Sequence, residues 1–311
     1  MKILFFTDSH EDYVADSLLH GLKKTFGPQV VDYPRKDILY HGETTMLPSG
    51  VRGGGFTLYT GLLQEDSANR YDIVRRLQTE SFDIVVFGNI HRQDHYFKKF
   101  RPYLHRHNTL VVDGEDGIAP VWQTDASLSI LKKYRYFKRE QADTQSRIFR
   151  SAPNFLPISI GFPAEKITPR PPKSKEFGAH VVDPEVAACL QARTDSVFAS
   201  EVEYYKDLQA SRFGVTMKRG GWDCLRHYEI AGNGCVPCFR RLEQKPSRCA
   251  PHGLTDQNCL PYTDVQDLMK KTRSLQPGQY EALQAASQEW IQANTTTKSV
   301  ERVLSEFFKD R

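Results

Sequence analysis

Residues 211 to 239 read Ser-Arg-Phe-Gly-Val-Thr-Met-Lys-Arg-Gly-Gly-Trp-Asp-Cys-Leu-Arg-His-Tyr-Glu-Ile-Ala-Gly-Asn-Gly-Cys-Val-Pro-Cys-Phe. Phe213 to Thr216 predicts a strand, and Gly220-Gly221 with Lys218 and Arg219 predicts a tight basic turn. A helix-period segment follows from Asp223 to Ala231, then a glycine-broken turn, and Val236 to Phe239 predicts a second strand. Glycines ahead of a helix start leave backbone N–H groups open to an anion, and the helix dipole favours negative charge there. Lys218, Arg219 and Arg226 add the fixed positive charge that a diphosphate needs. Glu229 follows Arg226 by one helical turn, so the two share a face, and a carboxylate there can accept both hydroxyl protons of a ribose. Asp223 has the composition of an N-cap. The segment reads as a cradle for a nucleoside diphosphate.

Outward from this unit the pattern stays α/β. Upstream, Ile3 to Phe6, Val30-Val31, Asp83 to Gly88 and Leu110 to Asp113 are short, continuously apolar strands. Helix-period segments separate them: Leu18 to Phe26, Tyr71 to Leu77 and Tyr96 to Leu104. That alternation predicts a parallel sheet covered on both faces. Ligands bind such sheets at the carboxyl ends of the strands. The polar loops expected there are Asp8 to Asp12, Asn89 to Arg92 and Asp113 to Asp116, and Gly53-Gly54-Gly55-Phe56-Thr57 falls in a long connection. Four prolines and interspersed charges between Pro163 and Gly178 predict a linker, so domains are expected at 1–162 and 179–311 with a Pro-rich linker at 163–178. In the second domain, Ala179 to Val182 is expected as a strand, and helices are expected at Pro184 to Gln191, Val202 to Leu208, Val265 to Thr272, Tyr280 to Ala293 and Ser299 to Phe308.

Composition narrows the function classes. The 311 residues are 39% hydrophobic and 26% charged, which is globular and not disordered. A net charge of +4 is too small to demand a nucleic-acid partner by itself, although a local basic patch remains compatible with it. No apolar run approaches the roughly 20 residues of a membrane helix. Nor does Met1-Lys2-Ile-Leu-Phe-Phe lead into the apolar stretch of a secretory signal. Six cysteines, none before Cys189, do not make a disulfide scaffold. The expectation is a soluble, cytoplasmic chain, peripheral to a membrane at most.

At Trp222-Asp223-Cys224-Leu225-Arg226-His227-Tyr228-Glu229, followed by Ala231-Gly232-Asn233-Gly234-Cys235-Val236-Pro237, the sequence also resembles a family. It is similar to the donor signature of GT-B glycosyltransferases, in particular the exostosin-like and spore-maturation-protein-like groups, in which Asp-x-x-Arg-x-x-Glu precedes a small-residue turn ending Gly-Cys-Ile/Val-Pro. Asp223, Arg226, Glu229, Gly234, Cys235 and Pro237 match that pattern. Weaker likeness covers Tyr136 to Glu140, Ile158 to Phe162 and the helix after Thr295-Thr296-Thr297. The resemblance implies two Rossmann-like domains facing a cleft, with the C-terminal helix crossing back to the first. It places a nucleotide sugar on the second domain, with Lys218, Arg219, Gly220, Gly221, Asp223, Arg226 and Glu229 at the donor, and an acceptor on the first. Retaining members of the wider fold often have two glutamates eight positions apart. Pro237 stands eight after Glu229, which leans the expectation toward inversion.

Inversion needs a base on the first domain. Asp8, His10, Asp12, His91, Glu115 and Asp116 all fall on loops at strand ends, and His10, Glu115 and Asp116 are the first choices. No metal or cofactor is expected: fixed cations would neutralise the leaving diphosphate. The rival zinc reading at Cys235, Cys238, Cys249 and Cys259 lacks a second tight Cys pair, so buried cysteines are the default. Asp8-Ser9-His10 opens like the Asp-x-His of a metallophosphoesterase, but the Gly-Asp expected next is Gly88-Asn89. A non-catalytic nucleotide-sugar-binding module is the other alternative. The acceptor is expected to be a surface glycan or lipid-linked oligosaccharide by analogy. Tyr134 to Arg139 mixes aromatic and basic residues but reads more simply as a half-buried strand than as a nucleic-acid contact. The sequence leaves the sugar and the oligomeric state open.

Overall fold

The structure, a computed structural model, describes residues 1–42, 58–79, 81–117, 133–141, 155–195 and 198–309. Gly53 to Thr57 lie outside the described residues. The first sheet contains β1 (Ile3–Phe6), β2 (Val30–Tyr33), β3 (Ile84–Phe87), β4 (Thr109–Asp113), β5 (Arg135–Lys138) and β6 (Phe155–Pro157). All are parallel, in the order β2-β1-β3-β4-β5-β6. Alternate side chains of β1 divide between two cores, as strand geometry requires. Ile3 and Phe5 pack with Leu18, Leu19 and Leu22 of α1 (Tyr13–Phe26), whereas Leu4 and Phe6 pack beneath α2 (Ile73–Gln78) and α3 (Ile90–Phe100). The order reverses between β1 and β3, which places the crevice at residues 7–12 and 88–89.

The α3 boundaries differ from expectation. The Asn89 side chain accepts the His91 N–H at 3.0 Å and Gln93 Oε1 accepts the Asn89 N–H at 3.2 Å, so residues 89–92 are a cap and first turn, not a loop. The helix stops at Phe100 because Pro102 has no N–H to continue it.

The second sheet, also parallel, runs β10-β9-β8-β7, with β7 (Lys175–Phe177), β8 (Ser211–Met217), β9 (Val236–Arg240) and β10 (Leu260–Tyr262). Helices α4 (Pro184–Leu190), α5 (Glu201–Ala210), α6 (Leu225–Gly232), α7 (Val265–Ser274) and α8 (Pro277–Ala293) surround it. The last part of the expected linker is therefore an edge strand, and Ala179 to Val182 is not a strand. Edge strands tolerate charge, so Lys175-Glu176 concealed β7 in the sequence. Pro261 concealed β10, the other edge, in the same way.

Helix α9 (Thr296–Phe308) returns to the first sheet, where Val300, Val303 and Phe307 join the α1 core. A Cβ on Gly21 would stand 2.3 Å from the Thr296 carbonyl oxygen, so the two helices meet only because residue 21 has no side chain. The chain crosses between the domains twice, side by side. Phe162 N–H donates to Asn294 O and Thr296 N–H to Phe162 O, each at 2.9 Å. Beside this pair, the His20 ring spans Thr296 Oγ1 at 3.0 Å and Glu165 Oε1 at 3.3 Å. Among the described residues no helix is long and apolar enough to cross a membrane.

Candidate functional site

The turn between β8 and α6 meets the carboxyl ends of β4 and β5 across the cleft. A Cβ on Gly220 would lie 2.0 Å from Asp116 Oδ2, and one on Gly221 would lie 2.3 Å from Glu140 Oε1. The glycine pair thus admits a close approach, and what approaches here is a pair of carboxylates from the first domain. Glu140 is 1% exposed and accepts the Asp223 N–H at 2.9 Å. Arg139, buried beside it, ion-pairs with Asp116 and donates through Nη1 to the Asp223 carbonyl at 2.9 Å.

Asp223 is not the N-cap. Cys224 holds that position without a side-chain capping bond. The Asp223 carboxylate is 2% exposed and accepts the Ile160 N–H at 3.0 Å and the Tyr228 hydroxyl at 2.7 Å. It is a joint between the domains, turned away from solvent. Burial pushes its pKa up to about 6 even though Arg139 and these hydrogen bonds act the other way.

On the opposite wall of the turn, Arg226 does not pair directly with Glu229. Its Nη1 donates to His180 Nδ1 at 3.2 Å and to the Tyr204 hydroxyl oxygen at 3.3 Å. Tyr204 and Tyr205 donate their hydroxyls to Glu229 at 3.5 and 3.3 Å. Burial holds the Glu229 carboxyl above its ordinary range, opposed by Arg226. His180 donates from Nε2 to Thr194 O at 3.0 Å, which leaves Nδ1 as the acceptor from Arg226. Burial, then the neighbouring Arg226, lowers its pKa to about 4, so the ring is neutral near pH 7. Among the described residues, Lys218, Arg219 and Arg226 have no carboxylate within 4 Å. Arg226, a neutral imidazole, two phenols and a half-buried carboxylate therefore line this wall, and the exposed Lys218 and Arg219 lie in the turn that precedes it. Tyr204, Tyr205, His180, Arg139 and Glu140 were not singled out as site residues in the sequence. Only the adjacent pairs Tyr204-Tyr205 and Arg139-Glu140 could have signalled them.

Behind the wall, His227 is completely buried. It bonds the Trp222 carbonyl through Nε2 and Thr216 Oγ1 through Nδ1, both at 2.8 Å. Burial drives its pKa down to about 3. A neutral ring bonded on both nitrogens fixes the turn to the strand.

The three base candidates occupy different surroundings. Asp116 is the one that reaches the glycine turn. Glu115 is half-buried and accepts from Asn89 Nδ2 at 3.2 Å, and the same amide donates to Asp12 at 2.6 Å. The His10 side chain is 76% exposed, with Nδ1 3.2 Å from Asp8 Oδ1. Deeper in the first domain, Asp113 accepts the Tyr136 hydroxyl at 2.5 Å and lies 3.1 Å from both His91 Nε2 and Lys138 Nζ. Burial opposes its ionisation, but His91 and Lys138 hold it below the usual carboxylate range.

Asp8 and His10 bond each other, and among the described residues no group of three or more His, Cys, Asp and Glu is placed to hold a metal ion. Cys235, Cys238, Cys249 and Cys259 are buried, and burial raises all four thiols above their ordinary range. Cys249 Sγ donates to Gln141 O at 3.0 Å, across the domain boundary. A cavity of about 1320 Å³ lies elsewhere, lined by Leu254, Leu260, Leu275 and Leu283, and includes none of residues 218–229.

No protein-family model matches this sequence, and no curated protein matches it in sequence. Solved structures do match it in shape. A glycosyltransferase from Rickettsia africae is 8% identical with a TM-score of 0.58, covering 100% of this chain and 99% of that one. HepE of Anabaena, solved with UDP-glucose, is 13% identical with a TM-score of 0.52, covering 98% of each chain. The chain has the GT-B fold. A GT-B chain carries its facing Rossmann-like domains as two parallel sheets, which is the arrangement described above. Identities this low speak to architecture alone, so the chemistry rests on the cleft.

Proposed function

We propose that this GT-B chain is a glycosyltransferase that moves a sugar from a nucleoside-diphosphate sugar to an acceptor hydroxyl, without a metal and with inversion. The observation that carries the proposal is the half-buried Arg226, linked through Tyr204 to Glu229, with no carboxylate of its own within 4 Å among the described residues. Arg226, Lys218 and Arg219 neutralise the diphosphate, and Glu229 accepts the ribose hydroxyls. Asp116 takes the acceptor proton. The acceptor oxygen bonds to the anomeric carbon as the carbon–oxygen bond to the phosphate breaks, and the nucleoside diphosphate leaves with that electron pair. The acceptor hydroxyl becomes acidic only as its bond to carbon forms, so a carboxylate held by Arg139 suffices as base. His10 and Glu115 then line the acceptor side. HepE, of the same fold, was solved with UDP-glucose, which makes UDP the first donor nucleotide to test. The acceptor class is a surface glycan or a lipid-linked oligosaccharide, and the place of action is the cytoplasm.

The test is a thermal-shift panel of UDP, GDP, CDP, dTDP and CMP, with and without EDTA, on the wild type and Glu229→Ala. A ligand at about a hundred times its Kd adds roughly 2.7 kcal/mol, a readable shift. One nucleotide should stabilise the wild type equally in EDTA and fail on the variant. Stabilisation by none of them, or only with added metal, overturns the proposal. Binding without release of sugar from the matching donor would leave the non-catalytic binding module in its place.

A further inference from the structure

The outer layer of the first sheet carries positive charge that the donor wall does not use. Residues 91 to 108 hold Arg92, Lys98, Lys99, Arg101 and Arg106 against Asp94 alone, a net +4 equal to that of the entire 311-residue chain. The rest of the molecule balances to zero. Helix α3 sorts this charge outward: Ile90, Gln93, Phe97 and Phe100 are buried, while Arg92, His95, Lys98 and Lys99 are exposed. Helix α2 lies alongside, joined through the Gln78 Nε2 hydrogen bond to the Tyr103 hydroxyl at 2.9 Å. It buries Ile73 and Leu77 and turns Val74 and Arg75 to solvent. Tyr71, just before it, is 82% exposed. Among the described residues, Arg75, Lys99, Arg101 and Arg106 have no carboxylate within 4 Å. Ion pairing therefore does not account for them.

A face whose cations outnumber its carboxylates, Asp72 and Asp94, and which carries Tyr71 and Val74 among them, has the chemistry of a bilayer surface. Cations near an anionic leaflet are attracted electrostatically, and tyrosine sits favourably at headgroup level. A single-stranded nucleic acid would instead need a groove with successive exposed rings for its bases. Among the described residues of this face Tyr71 is the one tyrosine or phenylalanine fully open to solvent, Tyr96 and Tyr103 being partly buried and Phe97 and Phe100 buried. We infer that the outer face of α2, α3 and the turn through Arg106 docks on an anionic phospholipid membrane. Arg92 ends this face at the cleft rim, where it donates to Glu11 O at 2.8 Å and lies 3.7 Å from Asp8. Docking thus brings the lipid surface beside the β1–β3 crevice. This placement does not depend on which reaction the cleft performs.

Sedimentation of the full chain with vesicles tests it. Binding is expected to equimolar phosphatidylcholine–phosphatidylglycerol and not to phosphatidylcholine alone. At about 1 kcal/mol per cation near the surface, K99Q/R101Q/R106Q should lower the partition coefficient ~100-fold. Y71S/V74S should weaken vesicle binding while leaving heparin binding unchanged. Each substituted side chain is exposed or half-exposed, and an unchanged urea midpoint checks that the fold is kept. Equal binding to both vesicle types, undiminished binding of the triple variant, or heparin and vesicle binding that fall together in Y71S/V74S would overturn the lipid assignment. Nucleotide thermal shifts on the same variants report the donor wall separately, so failure there and failure here are distinguishable.

Discussion

If the glycine pair of the β8–α6 turn exists to admit carboxylates from the opposite domain, Gly221→Ala and Glu140→Ala must be coupled. An added methyl at position 221 lies 2.3 Å from Glu140 Oε1 and 2.8 Å from its Cδ, well inside contact distance. Position 221 is not in the left-handed region, so contact alone sets the cost. Glu140 is 1% exposed and cannot swing into water without abandoning the Asp223 N–H. Overpacking costs ~1–3 kcal/mol, and loss of a hydrogen bond to a charged acceptor adds ~1.5–3. The smaller unfolded-state gain from Gly→Ala, ~0.4–1 kcal/mol, offsets part of this. Gly221→Ala should therefore destabilise by about 2–5 kcal/mol. Glu140→Ala leaves the amide unpaired at ~1–3 kcal/mol. In the double variant the methyl enters the space the carboxylate vacates, so its cost should be near that of Glu140→Ala alone. Urea unfolding of the four proteins measures the cycle. Additivity within ~0.5 kcal/mol would refute the coupling. A loss of nucleotide binding in Gly221→Ala that the second substitution does not restore would mean that the turn answers to a phosphate instead.

Three other outcomes are expected. Arg226→Ala should weaken nucleotide binding ~10–100-fold, the worth of a charge-assisted hydrogen bond, as measured by titration calorimetry. Asp116→Asn should lower kcat ~10²–10⁴-fold with nucleotide affinity unchanged, and an unaltered kcat would remove Asp116 as the base. Asp223 has a folded-state pKa raised from 3.8 to about 6, so it binds its proton more tightly in the folded chain. Its contribution to stability grows as pH falls through 6 and is complete below 3.8. Asp223→Asn should flatten the urea-midpoint profile across that window, and a profile parallel to the wild type would contradict the burial argument.

Periodicity made the central strands of the first sheet legible because they are buried on both faces and therefore continuously apolar, as in Ile84 to Phe87. Edge strands were not legible: β7 carries Lys175-Glu176 and β10 carries Pro261, which at an edge cost little and in a sequence read as linker or turn. That Arg226 and Glu229 lie on one side of the helix could be anticipated because helix spacing fixes which residues share a face, whereas Lys218 and Arg219 precede the helix. The part played by Asp223 could not. Its identity suits a cap, and only the path of Ile160, sixty-three positions upstream, shows where its carboxylate goes. Likewise nothing local links Glu140 to Gly221, since their proximity is created by two separate sheets coming together at strand ends.

The return of α9 to α1 makes the first domain discontinuous in sequence. Val300, Val303 and Phe307 complete a core begun by Ile3 and Leu18. On the ribosome, the amino-terminal sheet emerges first yet cannot close that core until residues 296–308 have left the exit tunnel. At ~5–20 residues per second, translation of the intervening stretch keeps the apolar side of α1 uncovered for many seconds. The side of β1 under α2 and α3 has no such wait. In the cell the exposed α1 stripe, more than any part of the finished protein, is where a chaperone would be needed.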